Sequence, residues 1–389
     1  MKVLDITSWY SASAGGIKRY YREKARALPR RGVLCHFAVP GEVRASEPFG
    51  EGTLHTLPGP LMPGNASYRR FTRASGLEAL IEDLQPDVIE LGSHYTLPLM
   101  VERGVRRLRV RPAVVGFFHS HPDQVVQNVT PGFPLIRKPI SDLTWRLFRH
   151  RHAAYDATLI ASGHMESLAS AWRIPRLHRV GLGVDVDAFK PAVDRAQRLA
   201  ARPTTVTYVG RFTADKELDL LLEGYLRARE LLRAAGAPPL HLRFLGDGPL
   251  RPRLEDFAAA TAEVTVSPYL DRAEEIAEVI SDSAAVVVPS QTETFSFSTA
   301  EALGCGVPVV GPRAGAVGEF LAESGAGFGF EAGRADSLAR SLVDVSDASR
   351  ARLLELGARG RDHILREFTW DAVAGRLYTA YESALAHRG

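Results

Sequence analysis

Residues 284–310, from Ala284 to Val310, read AAVVVPSQTETFSFSTAEALGCGVPVV. Ala284–Val288 is a short apolar run closed by Pro289, Ser290 and Gln291, the pattern of a strand buried on both faces of a parallel sheet. Ser298-Thr299-Ala300-Glu301 has the form of a capping box. In such a box the Ser298 hydroxyl accepts from the Glu301 amide and the Glu301 side chain reaches back. The spacing therefore predicts a helix that opens at Ser298 and stops at Gly304 and Gly306, followed by a strand at Val307–Val310. Strand, loop, helix and strand in this order put Glu293 and Glu301, eight positions apart, at the carboxyl end of a parallel strand beside a helix N-terminus. Open α/β sheets bind ligands at that edge. Paired carboxylates there accept hydrogen bonds from the hydroxyls of a polyol. Taken singly, Glu301 is equally a capping residue and Glu293 equally a solvated loop charge.

The stretch is the later part of an α/β series that begins at Thr205. Val206–Val209 reads as a strand, Gly210-Arg211-Phe212-Thr213-Ala214-Asp215-Lys216-Glu217 as a turn, and Leu218–Ala234 as a helix. Arg211 and Lys216 thus sit where a strand ends and a helix begins. Cations there suit a diphosphate, the guanidinium by paired hydrogen bonds and the ammonium as a point charge; the bland alternative is two solvated charges beside a turn. His241–Leu245 is a further strand, and Gly246-Asp247-Gly248-Pro249-Leu250 after it imitates a dinucleotide fingerprint. It lacks the third glycine, and the next strand, Val264–Val266, lacks the terminal acid that would hold a nicotinamide cofactor's ribose. A dehydrogenase is disfavoured on both counts. Ala273–Ile280, Arg334–Val345 and Ser349–Phe368 read as helices, with a last one opening at Thr369-Trp370-Asp371.

The first half repeats the theme. Lys2–Thr7 is a strand, Ser8–Gly16 a polar loop ending in Gly15-Gly16, and Ile17–Leu28 a helix with Ile17, Tyr20, Tyr21, Lys24, Ala25 and Leu28 on one side. Gly15 and Gly16 allow backbone amides to approach a phosphate, although tight turns use such pairs constantly. Val33–Val39, Asp87–Leu91 and Ala113–Phe118 are strands; the last leads into His119, placed to donate to a sugar hydroxyl or a developing charge. His121 is one step out of register. Residues 128–152 are rich in Pro, Arg and aromatics, which fits a lid, a membrane-facing surface, or a helix at Asp142–His152 packed on the sheet. Ala157–Ser162 is a strand and Met165–Trp172 a helix.

With 389 residues, 45% apolar and 24% charged, the chain has room for two domains of ordinary globular composition. Cys35 and Cys305 both sit in apolar runs and read as buried thiols in a reducing compartment. The chain starts directly with a strand, without a secretory leader, and no apolar run is long enough to span a bilayer, so a cytoplasmic location is expected. Residues 1–188 hold 25 Lys and Arg against 17 Asp and Glu, a charge of +8, whereas residues 189–389 hold 23 against 28, a charge of −5. A basic half beside an acidic half points to an anionic partner for the first, either a phosphate-bearing acceptor or the inner face of an acidic membrane. Arginine-rich decoration of the surface is the alternative.

Together these elements resemble the retaining glycosyltransferases of the GT-B fold, family GT4 (glycosyl transferases group 1). Glu293 and Glu301 match the family's E-x7-E element, followed by Gly304, Pro308 and Val309. Gly210-Arg211 and Lys216 match its Gly-Arg…Lys pattern, Gly15-Gly16 its N-terminal Gly-Gly loop, His119 its strand-end histidine, and Gly181–Phe189 its domain junction. The resemblance implies an α/β GT-B fold with two Rossmann-like domains facing across a cleft. Residues 1–188 would bind the acceptor, with a C-terminal helix at 370–389 crossing back, and residues 189–369 would bind the nucleotide sugar. It implies transfer of a hexose, with retention and without a metal or cofactor, from a GDP-mannose or UDP-glucose type donor to a glycan, a lipid-linked or a small-molecule acceptor; nucleic acid is not an implied partner. Glu293 would lie by the donor sugar, Glu301 on the ribose, Arg211 and Lys216 on the diphosphate, Gly15 and Gly16 facing it, His119 near the transferred sugar, and Tyr269 near the base. The amides of Phe295-Ser296-Phe297 would approach the donor. The family usually carries Phe-Gly-Leu there, so Ser296 is a departure that bears on the donor contacts. Asp185-Val186-Asp187 forms an Asp-x-Asp, a metal motif in the other large glycosyltransferase architecture. Here it precedes a linker instead of lying inside a nucleotide-binding sheet, and no metal ligand is assigned. The rival outside catalysis is a sugar-nucleotide-binding protein without transfer activity.

Overall fold

The computed structural model describes all residues except 11–14, 63–64, 95, 120–121, 124–125, 127–133 and 389. His121 and part of the 128–152 stretch therefore lie outside the described residues. The chain divides into two compact units, Met1–Gly183 together with Trp370–Gly389, and Val184–Thr369.

The first unit holds strands β1 (Lys2–Ile6), β2 (Leu34–Gly41), β3 (Ala45–Phe49), β4 (Gly52–Pro58), β5 (Leu61–Met62), β6 (Asn65–Arg69), β7 (Val88–Leu91), β8 (Ala113–Phe117), β9 (Ala157–Ile160) and β10 (Leu177–Arg179). Eight of them form one sheet in the order β10-β9-β8-β7-β1-β2-β4-β3, parallel throughout except for β3 against β4; β5 and β6 pair separately. Strands β1, β7 and β9 are almost wholly buried, because helices cover both faces of a parallel sheet. Leu4, Ile6, Ile89 and Leu91 join Leu80 and Ile81 of the helix Leu77–Leu84 in the core. Strands β3 to β6 fall between Val39 and Asp87, a stretch with no element predicted from the sequence. The reason is visible in β3, ASEPF, which is exposed along most of its length and contains a proline.

The helix after β1 spans Gly15–Ala27. Gly15 and Gly16 are thus its first two residues, not the end of a loop. The helix expected at Asp142–His152 runs over Pro134–Ala153. Pro139 lies inside it, just past the first turn, and forgoes one intrahelical hydrogen bond there.

The second unit holds β11 (Thr205–Val209), β12 (His241–Leu245), β13 (Val264–Ser267), β14 (Ala285–Val287), β15 (Val309–Pro312) and β16 (Gly327–Phe330), all parallel, in the order β13-β12-β11-β14-β15-β16. This is the doubly wound order in which the chain runs outward from β11 in one direction, returns, and runs outward from β14 in the other. The crevice beyond the carboxyl ends of β11 and β14 is therefore the topological switch point. Val206, Tyr208, Phe244 and Val287 pack with Leu221, Tyr225 and Leu338 in one continuous core.

Candidate active site

β11 delivers the chain to Gly210, and Tyr208 on that strand donates its hydroxyl to the Arg211 carbonyl at 2.8 Å. This fixes the turn that follows, which closes with a short 3-10 segment at Ala214–Lys216 before the helix Leu218–Ala234. Gly246 and Gly248 after β12 make this turn possible. A Cβ on Gly246 would lie 1.8 Å from the Gly210 carbonyl oxygen, and one on Gly248 would lie 2.6 Å from that of Phe212. The Gly-Asp-Gly run is spent on close backbone packing, which explains why it imitates a nucleotide fingerprint without being one.

β14 ends beside this turn, and its loop crosses to meet it. Ser290 Oγ donates to the Asp215 carbonyl at 2.9 Å. Lys216 Nζ donates to Glu293 Oε1 at 2.7 Å and lies 3.4 Å from Asp215 Oδ2. Arg211 stands 3.5 Å from the same Asp215 oxygen, with 71% of its side chain exposed, against 17% for Lys216 and 18% for Glu293. Burial would raise the Asp215 carboxyl, but the Thr213 hydrogen bond and the charges of Lys216 and Arg211 outweigh it and hold the group below its ordinary value. Burial pushes the Tyr208 phenol upward, helped by Glu293 and Asp215, so it stays a neutral donor.

The helix after this loop spans Phe297–Gly304, and its cap is Ser296 at φ 73°, ψ 79°. The capping box expected at Ser298 is therefore not formed. Ser298 lies inside the helix, and Glu301 is a buried residue of its second turn, 6% exposed. The shift follows from Phe295, which is buried against Phe297, Phe320 and Phe368 and forces the chain to turn at the next residue. Ser296 then bonds Thr299, hydroxyl to hydroxyl, at 2.8 Å, and caps no backbone amide.

Arg211, Lys216, Glu293, Phe295, Ser296, Phe297 and Glu301 thus lie in the two strand-end segments of one switch point. Tyr269 belongs to the same unit but follows the edge strand β13, and is 61% exposed. Asp185 Oδ1 accepts from the Asp187 amide at 3.2 Å and the Ala188 amide at 3.1 Å. That is a turn contact, and among the described residues no group of three His, Cys, Asp or Glu side chains is placed to hold a metal. Cys35 and Cys305 are buried, and burial pushes both thiols up to about 12, which makes them poor nucleophiles.

Gly15, Gly16 and His119 belong to the first unit. His119 follows β8, with its ring 5.2 Å from that of Tyr20 and 4.1 Å from that of Phe117. Burial pushes its pKa down to about 4, only partly offset by Glu90, so the imidazole is neutral at pH 7.

Sequence reasoning missed three features. Asp5 on β1 and Glu90 on β7 are register partners, and Lys24 bridges them at 2.6 and 2.9 Å, all three essentially unexposed. Tyr21 donates to Asp5 at 2.8 Å, Tyr20 to Glu90 at 2.9 Å, and Tyr381 of the helix Trp370–His387 also donates to Glu90. In the second unit, buried Arg195 donates to the carbonyls of Gly306 and Ser283, each at 3.1 Å. Arg361 binds those of Phe189 at 2.7 Å and Gly304 at 2.9 Å. The only signal for the first was Lys24 on the apolar side of its helix. Nothing local marks the two arginines.

A switch point that offers cations, carboxylates and a helix N-terminus defines a class of protein that handles a phosphorylated polyol, and the comparisons specify which. Residues 14–188 match the family described as Glycosyltransferase Family 4, and residues 203–347 match the one described as Glycosyl transferases group 1. A GDP-mannose-dependent alpha-mannosyltransferase of Mycobacterium tuberculosis is 30% identical over 331 residues, covering 81% of this chain and 80% of the relative. A GDP-mannose-dependent alpha-(1-6)-phosphatidylinositol dimannoside mannosyltransferase of the same species is 25% identical, covering 100% of this chain and 98% of the relative. Among solved structures, a sucrose-phosphate synthase from Thermosynechococcus elongatus matches over the whole of both chains, with a TM-score of 0.78 at 20% identity. The chain belongs to glycosyltransferase family 4. It is a nucleotide-sugar glycosyltransferase of GT-B fold.

Proposed function

We propose that the protein transfers a hexose, with retention, from a GDP-mannose type donor to a lipid-linked acceptor at an anionic membrane face, and needs neither metal nor cofactor. The observation that carries the donor half is the Lys216–Glu293 ion pair at the β11/β14 switch point, with Arg211 exposed beside it. The arriving diphosphate takes Lys216 from Glu293 and gathers Arg211. Glu293, released, accepts from the hydroxyls of the transferred sugar, while Glu301 faces the ribose and the Phe295–Phe297 amides approach the donor. The anomeric carbon–oxygen bond to the diphosphate then breaks, and the acceptor oxygen bonds to that carbon from the same face. The acceptor proton leaves with the nucleoside diphosphate. Negative charge grows on the leaving oxygen, and fixed cations stabilise it more than they stabilise the bound donor. Two cations do here what a metal would otherwise do. The GDP-mannose assignment rests on the names of the mycobacterial relatives. His119 acts as a neutral imidazole, able to donate to a sugar hydroxyl without carrying charge.

The acceptor half is supported by the helix Pro134–Ala153. Trp145 and Phe148 anchor one face in the core. Ile136, Leu143 and Leu147, spaced seven and four apart, are 47%, 67% and 36% exposed on the other. Lys138, Arg146 and Arg149 are exposed elsewhere round the same helix, Lys138 beside Asp142 at 3.5 Å. An exposed apolar stripe on a helix that also carries exposed cations suits the interface of an anionic bilayer, with each basic residue near it worth roughly 1 kcal/mol. Among the described residues no helix is long and apolar enough to cross a membrane. The test is nucleoside diphosphate release from GDP-mannose, UDP-glucose and ADP-glucose, with and without vesicles containing phosphatidylinositol. GDP release that rises with those vesicles is expected. Turnover of UDP-glucose alone would overturn the donor, and equal rates with neutral soluble acceptors at high salt would overturn the membrane.

A further inference from the structure

Two non-glycine residues of the second unit adopt a left-handed backbone, Glu217 at φ 52° and Ser296 at φ 73°. Both sit immediately before helices that start at the switch point, and neither side chain caps its helix. Glycine would fit either position without strain, so a retained side chain calls for a reason outside the local backbone. For Ser296 the hydroxyl pair with Thr299 supplies one.

For Glu217 the reason lies across the crevice. Its Oε1 accepts from the Gln291 backbone amide at 3.4 Å. On the opposite side, the Gln291 carbonyl occupies the space where a Cβ on Gly315 would stand, 2.3 Å away. Three successive residues of the β11 turn therefore grip the β14 loop: Asp215 through Ser290, Lys216 through Glu293, and Glu217 through Gln291. The middle contact is the one a bound diphosphate would break. The outer two involve no donor-facing group and persist when it does.

We propose that Glu217 is a positioning residue, whose carboxylate fastens the loop carrying Glu293 to the turn carrying Lys216 so that both keep their spacing while the donor exchanges between them. This rests on the donor reading given above. The strained backbone at Glu217 is the cost of having a carboxylate there, and it makes the proposal separable from an ordinary stabilising contact. Glu217→Gly removes the strain and the carboxylate together, so the variant should melt at or above the parent temperature while its transfer rate falls about ten- to a hundredfold, with little change in donor KM. Glu217→Gln keeps an acceptor oxygen and should restore most of the rate. Amide exchange at residues 290–293 should quicken in Glu217→Gly and stay at the parent level in Glu217→Gln. Parent-level turnover and exchange in Glu217→Gly would overturn the proposal, as would a Glu217→Gln variant no better than the glycine one. Glu293→Gln, measured alongside, tells the two failures apart. If that variant keeps the parent rate, the donor reading fails, whereas the exchange data still judge the clasp.

Discussion

The two units share a winding order and treat its centre in opposite ways. In the first, β1 and β7 meet at the switch point with facing carboxylates, Asp5 and Glu90, inside the sheet. In the second, β11 and β14 meet there with Thr207 against Val286, and the charges stand beyond the strand ends, on Lys216 and Glu293. A buried pair of carboxylates needs a cation between them, a shared proton, or both, and Lys24 is the cation here. It ties the helix Gly15–Ala27 to both strands, while Tyr381 ties the C-terminal helix to the same group. Ions inside the sheet hold elements together; ions beyond the strand ends remain available to a ligand.

The same substitution in both units sharpens this contrast. Lys24→Met removes the cation from between two buried, adjacent carboxylates, leaving them tyrosine hydroxyls but no opposite charge, and should cost about 3–5 kcal/mol of stability. Lys216→Met breaks a pair near solvent and should cost about 1 kcal/mol or less. Urea unfolding of the two variants against the parent measures both. Equal losses would erase the distinction between a structural and a functional ion.

A second contrast lies in the pH dependence. Burial, and then the charge of Glu90, raise the Asp5 carboxyl from 3.8 to about 8, against the opposing pull of Lys24. The folded chain therefore holds a proton that the unfolded chain releases, and this group's contribution to stability falls as pH rises from about 4 to about 8. Glu90 is shifted the other way: burial raises it, but Lys24 and Tyr381 lower it further. Its contribution is complete, and so flat with pH, only above the ordinary glutamate range. Asp5→Asn removes the falling component, so the difference between variant and parent should move in the variant's favour between pH 5 and 8. A difference that is constant with pH would mean Asp5 is ionised throughout.

The smallest expected effect is none. With Arg211 and Lys216 supplying positive charge and Asp185 engaged in a turn, transfer should survive EDTA at the parent rate. Loss of activity restored by manganese would return Asp185 and Asp187 to consideration.

The second unit was the more legible in sequence, for a physical reason. Its switch point is built from consecutive residues after strands, so Arg211, Lys216, Glu293 and Glu301 could be placed from an apolar run and a change of period. The first unit's centre joins residues 5, 24, 90 and 381, each of which looks locally like an ordinary strand or helix position. The helix start at Phe297 was misplaced because Ser298-x-x-Glu301 satisfies the local capping pattern, whereas the buried Phe295 decides the turn. Edge strand β3 escaped because it is exposed along most of its length and carries no apolar period.

Lys216→Ala tests the central claim most directly, with turnover and donor affinity measured on the same preparation. If Lys216 stabilises charge growing on the leaving diphosphate, the maximal rate should fall about a hundred- to a thousandfold, or roughly 3–4 kcal/mol. Donor affinity should fall much less, because the nucleoside is held elsewhere. Arg211→Lys, which keeps the charge but loses the paired hydrogen bonds, should be impaired in the same sense. A Lys216→Ala enzyme that binds donor poorly yet turns over at the parent maximal rate would contradict the account and make Lys216 an ordinary binding contact.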